Sequence, residues 1–281
     1  MGVNSYICLC VIHCMNFWQR LVLAIIQSIL EWLPVSSEGF IVLTSVNAFG
    51  VQASAAIRIA LYFHLGTAIA VFIKYRKEYI DAIMFKDKKL LRLLIVSILS
   101  TAVVAIPLKL FLEKIFTETA GWVVTLLTGI ALIITGMLLQ YGTARSQNSL
   151  EMDDRKLWDE IGLGIVQGFS ILPGISRSGT TYTYLLTRGF KKEDAFKMSF
   201  LISLPAVLAG IAFDLIFDVI LGGESLGFEW DYLFLMLLVA VIGYFMMDAL
   251  LLVARKIPFH YICFLLGAVT ILLIMILFTL S

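Results

Sequence analysis

The sequence predicts an all-α polytopic membrane protein: six transmembrane helices plus two re-entrant helical hairpins, related as an inverted-topology repeat within one integral-membrane domain. Three observations lead there. The 281 residues are 60% hydrophobic with a mean hydropathy of +0.97, where soluble domains are about 45–50% apolar. Two polar breaks interrupt apolar runs too short to cross a bilayer, which takes roughly 17–25 residues. The basic residues cluster in alternate loops, as cytoplasmic segments do.

Taken in order, Phe17 to Leu33 is an apolar run stopped by Pro34. Ser36-Ser37-Glu38-Gly39-Phe40 follow, and a second apolar run continues to about Val51. Spans are expected at about 55–74, 92–112 and 121–141. The run Ile161–Leu172 is only about twelve residues and ends in Pro173-Gly174-Ile175-Ser176-Arg177-Ser178-Gly179-Thr180-Thr181, after which a helix reaches Arg188. Spans follow at about 197–221, 231–253 and 259–280. With 161–188 entering and returning on one side, seven Lys/Arg in 74–92, three in 142–160, four in 188–197 and Arg255-Lys256 share that side, sixteen of the 21. The acidic loop at 222–231 falls opposite.

The chain also resembles itself. Leu33-Pro34-Val35-Ser36-Ser37-Glu38-Gly39 echoes Leu172-Pro173-Gly174-Ile175-Ser176-Arg177-Ser178-Gly179, each after a Gln (Gln27, Gln167) and before three spans. The repeats cover about 16–141 and 158–281. Because the hairpins enter from opposite sides, two half-crossings bring Ser37 and Arg177 together near the midplane, the usual place for a site in such folds.

The net charge of +1 points to no nucleic-acid partner. Cys8, Cys10, Cys14 and Cys263 form no zinc pattern with the three histidines and no disulfide framework. Residues 1–14 make a poor signal peptide, and Met15 is a candidate start.

The chemistry converges on Gln27, Glu31, Ser36, Ser37, Gly174, Ser176, Arg177, Ser178 and Thr181. An arginine in an apolar setting is costly and usually functional. At a helix start rich in Ser, Gly and Thr it offers a planar fork, backbone N–H groups and a positive dipole end to an anion. Gln27 and Glu31 lie one helical turn apart on one face. Glu31 can ligate Mg²⁺ or Ca²⁺, which take oxygen ligands, act as a base, or pair with Arg177. Ser37 suits a nucleophile, a phosphate ligand or a helix N-cap, and Gln27 an interhelical hydrogen bond. Glu38 reads as reaching the interface, and His64 as a packed or interfacial histidine.

At these residues the chain resembles the undecaprenyl-diphosphatase (bacitracin-resistance) family of membrane lipid phosphatases. Gln27-Ser28-Ile29-Leu30-Glu31 matches its (E/Q)xxxE motif, Leu33-Pro34-Val35-Ser36-Ser37 its LPVSS, and Pro173 to Thr181 its PGxSRSxxT, with His64-Leu65-Gly66-Thr67 and Ser203-Leu204-Pro205-Ala206 also alike. The resemblance implies hydrolysis of a polyprenyl diphosphate to the monophosphate, recycling a lipid carrier for envelope glycans. It also implies a divalent metal at Glu31 and a multi-pass protein of the cell membrane, and leaves a homodimer open. Arg177, Ser176, Ser178, Thr181, Ser36 and Gly174 would hold the diphosphate, with Glu31 and Ser37 reactive and Gln27 beside them. One departure stands out: the family's motif histidine is Phe40 here. The expectation is that Glu31 and a metal suffice without it; the alternative is that His64, in the next span, takes the histidine's role. The rival is a polyprenyl-phosphate transporter without hydrolysis, which the same inverted repeat would suit.

Overall fold

A computed structural model describes residues 15–51, 53–116, 121–146, 149–172, 174–214, 216, 230–253 and 258–280. Pro173, the acidic residues Glu224 and Glu229, and Arg255-Lys256 lie outside the described residues. Among the described residues the chain is helical, with a single β-bridge between Leu150 and Phe190.

The first hairpin is α1 (Phe17–Leu30) and α2 (Ser37–Phe49). Asn16 and Gln19 close a reciprocal capping box at the start of α1. Its last turn gives way at Pro34, which has no N–H to continue the ladder. The chain then runs through α3 (Ala53–Lys74), the short α4 (Arg76–Ile83), α5 (Lys88–Phe116) and α6 (Gly121–Arg145). The second hairpin is α7 (Leu157–Gly168), a 3₁₀ turn at Phe169–Ile171, and α8 (Arg177–Thr187). Then come α9 (Lys192–Asp214), α10 (Trp230–Val253) and α11 (His260–Leu280). Lys88–Leu112, Trp122–Arg145, Lys192–Phe213 and Asp231–Ala249 are each long and apolar enough to cross a membrane. The sequence reading left 74–92 as a loop; α4 occupies its middle.

Packing repeats between the halves. α1 lies on α2 and α10, and α7 lies on α8 and α5; α2 lies on α3, and α8 on α9; α3 lies on α10, and α9 on α5. Two further contacts, α3 with α9 and α6 with α11, join corresponding helices. Each hairpin therefore leans on a long helix of the other half. The core gathers where they meet: Trp32 sits edge-on to Phe200 at 5.5 Å, and Tyr182 stacks on Phe196 at 4.0 Å.

Ion pairs fix the hairpin bases, with their polarity exchanged. Arg20 of α1 reaches Asp231 of α10 at 3.3 Å. Seven residues before Gln167, as Arg20 is before Gln27, the fully buried Glu160 of α7 accepts from Arg92 of α5 at 2.9 and 3.0 Å. Arg155, also buried, pairs with Glu160 at 3.3 Å. Removing one partner of a buried pair strands the other charge, at about 3–5 kcal/mol. Glu160→Ala is therefore expected to lower the thermal unfolding midpoint in detergent well below that of Arg92→Ala, whose half-exposed guanidinium leaves Glu160 with Arg155. Equal midpoints would refute this account of the base.

Candidate active site

The two polar breaks meet. Ser36 N-caps α2 by accepting from the Gly39 N–H at 3.1 Å, and the same oxygen accepts from the Gly174 N–H at 3.2 Å. Across the crossing, Ser178 Oγ donates to the Leu33 carbonyl at 2.8 Å. Ser176 caps α8 in the same way as Ser36 caps α2, accepting from the Gly179 N–H at 3.0 Å. Thr135 of α6 steadies this tip through the Gly174 carbonyl and the Ser176 N–H, both at 3.3 Å. Gly174 has φ +94°, and a Cβ there would press on the Thr128 carbonyl and Ala131. Both the left-handed backbone and the close approach require glycine.

Glu31 ends α1 inside this junction, 5% exposed. Its Oε1 accepts from Arg177 Nη2 at 2.5 Å. Its Oε2 accepts from Gln27 Nε2 at 2.9 Å and Ser37 Oγ at 2.7 Å. His64 Nε2, from α3, lies 3.3 Å from the same Oε2. The ring is oriented by its other nitrogen, Nδ1, 2.6 Å from the Ala60 carbonyl. A carbonyl oxygen only accepts, so Nδ1 carries a proton. Arg177 is held by a second contact, Nη1 donating to the Ser199 carbonyl at 3.3 Å. Thr181 stands behind it, its hydroxyl 2.8 Å from the Arg177 carbonyl and 2.7 Å from Ser199 Oγ.

Gln27, Glu31, Ser37 and Arg177 thus form one hub, as the sequence reading has them. Ser36, Gly174 and Ser178 knit the two tips together, Ser176 caps its own helix, and Thr181 backs Arg177. Four expectations change. Ser36, not Ser37, is the N-cap, which frees the Ser37 hydroxyl for the carboxylate. Gln27 bonds Glu31 on its own helix rather than a neighbour. His64 is not merely packed: it faces the Glu31 carboxylate. Glu38, expected at the interface, is half-buried and near enough to His64 and Glu31 to feel their charges. Ser199 and Thr135 escaped the reading, since a hydroxyl on an apolar helix has no local pattern. An ionisable residue near the middle of an apolar span was the available signal for His64.

The donor set can be tested against a divalent cation. Gln27 Oε1 is buried without a hydrogen-bond partner, on the residue that touches Glu31. With the Glu31 carboxylate and the Ser37 hydroxyl it makes an all-oxygen set, which suits Mg²⁺ or Ca²⁺. Among the described residues no group of three or more His, Cys, Asp or Glu offers an alternative metal site.

Residues 20–269 match the model of the family described as bacitracin resistance protein BacA. The chain belongs to the BacA family. The undecaprenyl-diphosphatase of Methanothrix thermoacetophila is 39% identical over 257 residues, covering 91% of this chain and 96% of that protein. Those of Haloarcula marismortui and Methanopyrus kandleri are 36% and 34% identical, covering 88% and 92% of this chain and 93% and 96% of the relatives. Family membership takes in both hairpins, so the Glu31–Arg177 hub lies wholly within the BacA match.

Proposed function

We propose that this chain is a membrane phosphatase that hydrolyses undecaprenyl diphosphate to the monophosphate and inorganic phosphate. One observation carries the reading: a single carboxylate, Glu31, holds both the hydroxyl of Ser37 and the guanidinium of Arg177 where the two tips cross. A nucleophile hydrogen-bonded to its base, beside a cation that suits phosphate, is the arrangement that phosphoryl transfer uses. The names of the relatives agree with that chemistry.

The chain's own residues would act as follows. The terminal phosphate competes with Glu31 for Arg177. As the guanidinium turns to the phosphate oxygens, the carboxylate loses one donor and becomes a better acceptor for the Ser37 proton. Ser37 Oγ attacks the terminal phosphorus, the bond to the bridging oxygen breaks, and the lipid monophosphate leaves with that oxygen. Glu31 passes that proton to the departing phosphate oxygen; water then attacks the phosphoserine, Glu31 takes the water's proton and returns it to Ser37 Oγ, and inorganic phosphate departs. His64, its Nδ1 proton committed to Ala60, presents Nε2 to the same carboxylate and holds it in place. Gln27 Oε1, Glu31 and Ser37 would hold a Mg²⁺ or Ca²⁺ ion, which when bound would supply positive charge for the phosphate oxygens.

We place the site at membrane depth, in a fold of six spans and two re-entrant hairpins with inverted topology. The hairpin helices, 14, 13, 12 and 11 residues long, fall short of the roughly 17–25 needed to cross. Tips tied to one another support a common depth for both breaks, and the matched packing of the halves fits an inverted repeat. Irregular backbone at that depth is tolerable because it lines a protein interior. The basic loops favour an orientation with α4 on the inner side, and the membrane we assign is the cell membrane.

The test is phosphate release from undecaprenyl diphosphate by detergent-purified protein. Release that requires Mg²⁺ or Ca²⁺, stops on chelation and resumes on adding the ion is expected. Release untouched by exhaustive chelation would remove the metal from this scheme, and no release with any divalent ion would count against hydrolysis.

A further inference from the structure

The link between α3 and α5 carries an exposed surface that the phosphatase chemistry does not use. One face of α4 is docked on the protein: Tyr79 and Ala82 are buried, Tyr79 donates to the Leu201 carbonyl at 2.7 Å, and its ring stacks on Phe72. The other face is apolar and open. Ile83, Met84 and Phe85 are 68%, 61% and 66% exposed, and Ile80, Phe72 and Ile73 continue the patch onto the end of α3. Around it stand Arg76, Lys77, Lys86, Lys88 and Lys89, all exposed.

The way α4 ends sharpens the question. The Phe85 N–H bonds the Ala82 carbonyl at 3.0 Å and the Lys86 N–H bonds the Asp81 carbonyl at 2.8 Å, a Schellman cap with Phe85 in its left-handed position. That position normally holds glycine; here it is phenylalanine at φ +59°. A bulky residue rarely adopts this conformation. Two-thirds exposed, the Phe85 ring finds little packing within the chain to offset the strain. The strained cap projects Ile83, Met84 and Phe85 together, away from the protein and between flanking lysines.

We infer that α4 and its cap are an anchor for anionic lipid: the apolar tip enters the headgroup–acyl boundary and the basic rim holds negatively charged headgroups. An amphipathic helix with cations beside its apolar face binds membranes in this way. The position fits, because α5, a helix able to span, starts at Lys88 immediately after the cap. Trp158, at the start of α7 and 75% exposed, marks the same level, where tryptophan is enriched. Lys89 ties the two segments by donating to the Asp153 carbonyl at 3.3 Å. Charge selects the occupant: the rim stays net positive, five cations against Glu78, Asp81 and Asp87, with Lys86 3.7 Å from Asp81, and a second copy of this chain would bring the same net-positive rim against it.

The test reads depth, not turnover. A nitroxide is attached through Met84→Cys in a background with the four native cysteines replaced by serine. The protein is reconstituted in vesicles of phosphatidylcholine with or without phosphatidylglycerol. With phosphatidylglycerol, the label is expected to be more accessible to oxygen than to a water-soluble nickel chelate. That shielding should weaken in pure phosphatidylcholine and in high salt, since surface electrostatics are screened. It should be lost when Lys77, Lys86, Lys88 and Lys89 are all changed to Gln; the salt arm needs no such variant. A label equally open to the chelate in both lipids overturns the proposal. So does shielding that is independent of lipid charge and appears with spin–spin broadening as protein density rises, which would assign the patch to a second copy.

Discussion

Arg177→Ala is expected to abolish phosphate release, with a loss of about 10³-fold or more, the scale of an arginine that stabilises a phosphoryl transition state. The expectation follows from where the side chain sits. Its two terminal nitrogens are engaged by Glu31 and by the Ser199 carbonyl, so the side chain is already ordered at the junction and has only to exchange Glu31 for the phosphate when substrate arrives. Without it, Glu31 keeps Gln27, Ser37 and His64 as partners. The buried carboxylate is not stranded, and the variant should fold. Arg177→Lys restores the charge but not the planar pair of donors, so it should recover only part of the rate. Measured on protein with an unchanged elution profile, near-wild-type release by Arg177→Ala would remove Arg177 from the mechanism.

How much of this was legible depended on whether the signal was local. Pro34 and Gly174 announce the breaks because proline stops the helical ladder and glycine permits a left-handed turn, and the shortness of 161–172 is a matter of counting. Gln27 and Glu31 share a face by helical spacing alone. The hydroxyls are harder, because an N-cap and a phosphate ligand are the same residue types at the same helix start. Only coordinates assign Ser36 to the cap and Ser37 to Glu31. Ser199, Thr135 and His64 come from other helices, and no spacing rule reaches across them. Phe85 is a further case: nothing in Ile83-Met84-Phe85-Lys86 marks the third residue as the left-handed cap of α4 in place of a glycine.

His64 carries the other large effect. The family's motif histidine is Phe40 in this chain, on α2, and phenylalanine neither binds phosphate nor moves a proton. α3 packs on α2 and brings an imidazole to the Glu31 carboxylate from the adjacent helix. Its Nδ1–H is committed to Ala60, which fixes the ring and leaves Nε2 for the site. His64→Ala is therefore expected to lower the turnover number by about 10²-fold or more, the scale of a general acid–base group, with a smaller change in KM because Arg177 still binds the diphosphate. Glu31→Gln should be more damaging, since it removes the acceptor for Ser37 and the anchor for Arg177 together. Phe40→His in the His64→Ala background returns an imidazole to the place the family motif gives it, and partial recovery is expected. A silent His64→Ala beside a dead Glu31→Gln would mean that the carboxylate works alone and His64 only packs. If the wild type released no phosphate with any divalent ion, and Phe40→His did not restore release, hydrolysis would fail as a description. The crossed hairpins would then be better read as the binding site of a lipid-phosphate transporter, which movement of labelled lipid phosphate between leaflets would reveal.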